Sequence, residues 1–124
     1  MNSMFTKIVR ILLGVILLVF GANKFFGFIP LPELPEQANN FMTSLGATGY
    51  VLKIVGVLEI IIGILLLMKK WVAFALTLLA PISINILLFH LFLDVSGIGG
   101  ALLVTILNGI LIYKYWTHYK SLFQ

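Results

Sequence analysis

The sequence predicts an all-α membrane protein: a bundle of four transmembrane helices with a short amphipathic helix in the first outer loop. Three observations carry this. Of 124 residues, 61% are hydrophobic and 10% charged, against about 45–50% and about 25% in a soluble domain. With a mean hydropathy of +1.15, a soluble fold of this length would expose too much of its area to hide the apolar surface. The apolar residues also fall into four blocks, each near the ~20 residues that cross a bilayer, and the basic residues collect on alternate sides of these blocks. The length allows one domain, 1–124, and leaves no room for a separate soluble catalytic domain.

The first span runs from about Ile8 to Phe26. Lys7 and Arg10 before it resemble the basic region of a signal peptide. The apolar run continues through Phe25 and Phe26, however, and no A-x-A-like site comes after it, so a signal-anchor span fits better. The loop 27–49 opens with Pro30, Pro32 and Pro35, which favour an extended path. Pro35 suits the first turn of a short helix. Ala38, Phe41, Met42 and Leu45 then recur at amphipathic spacing, and Gly46 is a plausible stop. The segment reads either as a helix on the outer membrane face, capping the bundle, or as an ordered surface loop. The second span runs from about Tyr50 to Met68, and Lys69–Lys70 makes a tight inner turn. The third runs from about Trp71 to Leu93, and Asp94-Val-Ser-Gly begins a short outer turn. The fourth runs from about Ile98 to Trp116.

Lys and Arg placement sets orientation. With the N-terminus inside, the cytoplasmic side holds Lys7, Arg10, Lys69, Lys70, Lys114 and Lys120, and the opposite side holds Lys24 and Lys53. Trp71, Tyr113, Tyr115, Trp116 and Tyr119 fall at the inner boundary, where aromatic belts sit. The expected location is the inner or plasma membrane, with both termini cytoplasmic. Cysteine is absent, which removes disulfides, thiolate nucleophiles and Fe–S clusters. Scattered basic residues give no nucleic-acid footprint.

Ionisable groups at membrane depth are costly, so they are the best functional signal. Glu59 lies near the middle of the second span, about nine residues (roughly 13 Å) from its outer end. An isolated carboxylate there would be protonated or paired. Gly56 and Gly63, on its face, let a neighbouring helix approach. Asn85 and Asn108 lie at a similar depth, about eight and about ten residues from their outer ends. Three spans thus contribute one polar group each at one level, as a shared buried site would need. Thr105 shares a face with Asn108.

Asn23, Lys24 and His90 lie nearer the outer surface. Gly14, Leu17, Gly21 and Lys24 form one stripe of the first helix. Along it Lys24 points inward toward Glu59 or else snorkels to the surface. Asp94 is placed to pair with His90 on one face. Pro81, four residues before Asn85, frees a backbone carbonyl and opens space for a ligand. The competing reading is that Glu59, Asn85 and Asn108 are interhelical glue and that His90 is a lone interfacial histidine. One His within the spans excludes a bis-His haem in one chain, and one His with one midplane carboxylate makes a poor metal site.

The stretch Arg10-Ile-Leu-Leu-Gly…Phe20-Gly-Ala-Asn-Lys24-Phe-Phe resembles the first span of the DoxX family. The Pro-Leu-Pro-Glu-Leu-Pro…Ala38-Asn-Asn-Phe41 connection resembles that family's first loop. Thr48-Gly-Tyr50…Glu59-Ile-Ile-Ile-Gly63 looks like its second span, and Leu79-Ala-Pro81-Ile…Asn85-Ile-Leu-Leu-Phe89-His90 like its third. The resemblance covers nearly the whole chain. It implies a small four-helix membrane protein with a link to redox metabolism, in which Lys24, Glu59, Asn85 and His90 are the positions carried over. One branch is similar to membrane subunits of a thiosulfate:quinone oxidoreductase, and another associates with oxidative-stress enzymes.

Three functions are in view. The first is a redox-associated subunit, the membrane part of a quinone-linked oxidoreductase, binding a quinone-like lipophile at the midplane. Here Glu59 exchanges a proton, Lys24 or His90 stabilises an anionic oxygen, and Asn23, Asn85, Asn108, Thr105 and the Pro81 kink shape the site. The second is a non-catalytic scaffold that anchors a soluble redox enzyme. The third is a transporter subunit, which would need a homo-oligomer.

Overall fold

The computed structural model describes residues 3–27 and 34–123. Helix α1 spans Met4–Phe26, α2 Glu36–Ala47, α3 Val51–Met68, α4 Val72–Leu93 and α5 Ile98–Lys114. All four expected spans are present, and so is the short helix in the first loop. The expectation for Pro30 and Pro32 lies outside the described residues.

Each element ends where its local chemistry dictates. α1 begins four residues earlier than its apolar run suggests, because the Ser3 hydroxyl accepts from the Thr6 N–H and caps the first turn. It stops at Gly27, whose φ of 59° is left-handed backbone. Pro35 stands one residue before α2, in extended conformation. Between α3 and α4 lie only Lys69, Lys70 and Trp71, two of which adopt positive φ. Such a turn makes the two helices antiparallel neighbours. α5 ends at Lys114, earlier than expected, and two short 3₁₀ turns, Trp116–His118 and Lys120–Phe123, come after it.

α1 packs mainly against α3 and α4 mainly against α5, with further α3–α4 and α1–α5 contacts. The core runs through Val9, Leu13, Leu17, Ile62, Leu66, Leu76, Leu79 and Leu111. Large apolar side chains point outward all around, among them Ile8, Ile54, Phe74 and Ile106. Helices apolar on every face belong in lipid. α2 lies at the end of the bundle where α1 stops and α3 begins, touching α3 and α4. Ala38 is fully buried there, and the Phe41 ring packs 5.6 Å from that of Phe89. The segment is therefore a helix that caps the bundle rather than a loop.

Candidate functional site

The contact between α1 and α3 is built from glycines. A methyl group on Gly21 of α1 would lie 2.8 Å from the Gly56 carbonyl oxygen on α3, and one on Gly63 would lie 2.8 Å from the Gly14 carbonyl. Gly14 and Gly21 are seven residues apart, as are Gly56 and Gly63. Two antiparallel helices therefore share two backbone-to-backbone contacts along one seam. Only residues without a Cβ allow this approach.

The seam positions the one carboxylate at mid-depth. Glu59 comes three residues after Gly56, on the face turned to α1, and its side chain is 2% accessible. Lys24 lies in the last turn of α1, where the negative end of the helix dipole favours a cation. The residue as a whole is exposed, but its side chain is 25% accessible and runs inward. Its ammonium meets Glu59 Oε1 at 2.5 Å. The contact joins α1 to α3 as an ion pair. Asn23, half-buried, precedes Lys24.

The remaining polar residues do not gather around this pair. Asn108 is buried, accepts from the Ser83 hydroxyl at 3.2 Å and donates to the Leu76 carbonyl at 3.3 Å. Thr105 donates to the Ala101 carbonyl at 2.8 Å and approaches the Ser83 carbonyl at 3.4 Å. All but the Thr105–Ala101 bond, which lies within α5, join α4 to α5. Asn85 does not join them. It faces outward, and its amide donates to the Pro81 carbonyl at 2.8 Å, one turn back on its own helix. Asn85 and Ser83 do not share a direction: residues 83 and 85 lie about 200° apart around a helix, so Asn85 turns out where Ser83 turns in. Pro81 itself is exposed and sits within a continuous α4.

His90 belongs to a third group, at the turn between α4 and α5. Its Nδ1 lies 3.1 Å from the Asp94 carbonyl and 3.5 Å from Asp94 Oδ2. Asp94 is buried and also accepts from the Ser96 hydroxyl at 3.0 Å. Among the described residues no three His, Cys, Asp or Glu side chains cluster as metal ligands do.

Sequence reasoning placed Arg10 in the basic flank and passed over Ser83. Arg10 is buried within α1, and its guanidinium donates to the Leu66 carbonyl and, at 3.5 Å, to that of Leu67. It adds a charged donor at the end of α3, where the Leu66 carbonyl also accepts from the Lys69 N–H at 3.3 Å. The signal was present in the spacing, since Arg10 begins the stripe Arg10, Gly14, Leu17, Gly21, Lys24. Ser83 similarly continues the buried stripe of Leu76 and Leu79.

A family model for DoxX matches residues 5–91, more than half of the chain. The chain belongs to the DoxX family. The match takes in α1, α2, α3 and nearly all of α4, and thus Lys24, Glu59, Asn85 and His90. Asn108 and Thr105, on α5 of this DoxX protein, lie beyond it. Comparison with curated proteins and with solved structures finds no match.

Proposed function

We propose that this DoxX protein is a redox-associated membrane subunit that holds the polar head of a quinone-like lipophile where Lys24 and Glu59 meet. The observation that carries this reading is the ion pair itself. A charged pair within apolar spans is expensive and marks a functional site by default, and this one joins a buried carboxylate to a partly accessible ammonium. The donor set fits such a head. An ammonium has three N–H groups, and Glu59 engages it on one side, so others remain for a carbonyl oxygen. A bound quinone supplies the capacity to take up electrons and protons. Glu59 holds or releases a proton at its carboxylate, Lys24 steadies negative charge on an oxygen beside it, and Asn23 flanks the entrance. Asn85, Asn108 and His90 are engaged elsewhere and have no part in the proposed site.

On this reading residues 1–124 act as one domain in the inner or plasma membrane. The Lys and Arg bias supports cytoplasmic termini. Photolabelling with an azidoquinone in native membranes tests the reading. Label on peptides of α1 and α3 that is lost in Lys24→Met and Glu59→Gln, but kept in Asn85→Leu, is the expected result. Label that persists in both variants at normal folded yield overturns it.

The second reading is a non-catalytic scaffold for a soluble partner. Arg10, Ser83 and Asn108 favour it, because each is committed to holding one helix to another. On that reading Lys24→Met and Glu59→Gln lower folded yield and partner recovery together, and the unaltered protein carries no lipophile.

A further inference from the structure

The end of the bundle opposite α2 is formed by the start of α1, the α3–α4 turn and the end of α5. It carries Lys7, Lys69, Lys70, Lys114 and Lys120. No described carboxylate stands there: Glu36 begins α2, Glu59 is mid-span, and Asp94 is at the outer turn. The same end is ringed by exposed aromatic side chains. Trp71 and Tyr113 are more than 70% accessible, and the Trp116 and Phe123 rings stack at 5.6 Å on the surface. Lys114 lies 5.7 Å over the Phe5 ring, bridging the end of α5 to the start of α1. The Tyr115 hydroxyl, buried at this end, has no hydrogen-bond partner among the described residues.

We propose that this basic end binds the headgroups of anionic phospholipids selectively. The geometry favours lipid over an acidic soluble protein. The lysines of the α3–α4 turn sit at helix ends on a three-residue connection, too short to project from a bilayer. The C-terminal turns are held against α4, because the Tyr119 hydroxyl donates to the Ala73 carbonyl at 2.7 Å. Charge and aromatic rings are thus held at one level, where headgroups meet acyl chains and Trp and Tyr prefer to lie. Basic residues at that level are attracted to anionic lipid, each strengthening retention by about fivefold.

Native mass spectrometry of the detergent-purified protein, offered equal amounts of dioleoylphosphatidylglycerol and dioleoylphosphatidylcholine, tests this. The unaltered protein is expected to retain phosphatidylglycerol at least about fivefold more. The preference should shrink at high salt and collapse when Lys69, Lys70, Lys114 and Lys120 are all changed to Gln. It should return when they are changed to Arg, and it should be untouched by Lys53→Gln at the opposite end. Equal retention of the two lipids by the unaltered protein overturns the proposal, whatever the variants do. So does a preference that survives the four-fold Gln variant. Displacement of phosphatidylglycerol by inorganic phosphate alone, or by a stoichiometric acidic protein from the same membranes, overturns it as well.

Discussion

Gly21 of α1 and Gly56 of α3 face each other so closely that a methyl group on Gly21 would lie 2.8 Å from the Gly56 carbonyl oxygen. The relation repeats one heptad along, with Gly63 against the Gly14 carbonyl. Packing between these helices therefore depends on backbone touching backbone, and it sets the depth at which Lys24 meets Glu59.

Alanine at Gly21 or Gly63 should push α1 and α3 apart and cost about 1–3 kcal/mol, the usual range for overpacking. Gly109 has open space around it. Gly109→Ala should be neutral or stabilising by up to about 1 kcal/mol. Thermal unfolding in a mild detergent distinguishes the three variants, and equal behaviour of Gly21→Ala and Gly109→Ala would refute the seam.

Removing Lys24 leaves the buried Glu59 carboxylate without its partner. Lys24→Met should cost about 3–5 kcal/mol if Glu59 stays ionised, toward the lower end because Lys24 is partly accessible. Lys24→Met combined with Glu59→Leu should recover most of that loss, because a well-packed apolar pair substitutes for an ion pair at little net cost. A double-mutant cycle on unfolding midpoints measures the coupling. Additive losses would mean that the two groups do not interact.

Arg10→Leu should expose the carbonyls of Leu66 and Leu67 to an apolar surrounding. Loss of a charged donor costs about 1.5–3 kcal/mol. Hydrogen exchange should show earlier opening at the C-terminal turn of α3, with α5 unaffected. Uniform loosening of all helices would point instead to a general folding defect.

Asn108 and Asn85 should respond differently although both are asparagines at similar depth. Asn108→Leu removes a bridge between α4 and α5 and should cost about 0.6 kcal/mol, at most about 1.7. Asn85→Leu removes a bond within one helix and should be close to neutral. Unfolding midpoints that rank the two the other way would contradict the rotation of α4 that buries Ser83 and turns Asn85 outward.

At the C-terminus, burial raises the ionisation of Tyr119 above the ordinary tyrosine range, with the side-chain hydrogen bond to Thr77 opposing it. Its folded value is the higher one, so the neutral phenol stabilises the fold fully below pH ~10. That contribution is lost as pH rises through the folded value. Alkaline titration should therefore release the C-terminal turns from α4, read by tyrosinate absorbance together with proteolysis. Tyr119→Phe should weaken docking by about 1 kcal/mol at neutral pH and remove this part of the alkaline transition.

Much of the architecture is legible in the sequence because it comes from sums along the chain. Apolar length locates the spans, Gly27 and the 69–71 turn end them, and the period of Ala38, Phe41, Met42 and Leu45 reveals the capping helix. Position along a span is legible too, since helical rise converts residue number to distance. Direction is not. In a soluble helix the polar face marks the outside, but lipid is as apolar as a leucine core. Spans that are apolar all round carry little record of their rotation. Only the packed bundle turned Asn85 outward and Ser83 inward, sent Lys24 down the seam rather than to the surface, and drew Arg10 from the basic flank onto the end of α3. Close backbone approach at the glycines fixes the rotations of α1 and α3, because it makes the two helices meet along one line, and the Ser83–Asn108 bond to α5 fixes that of α4.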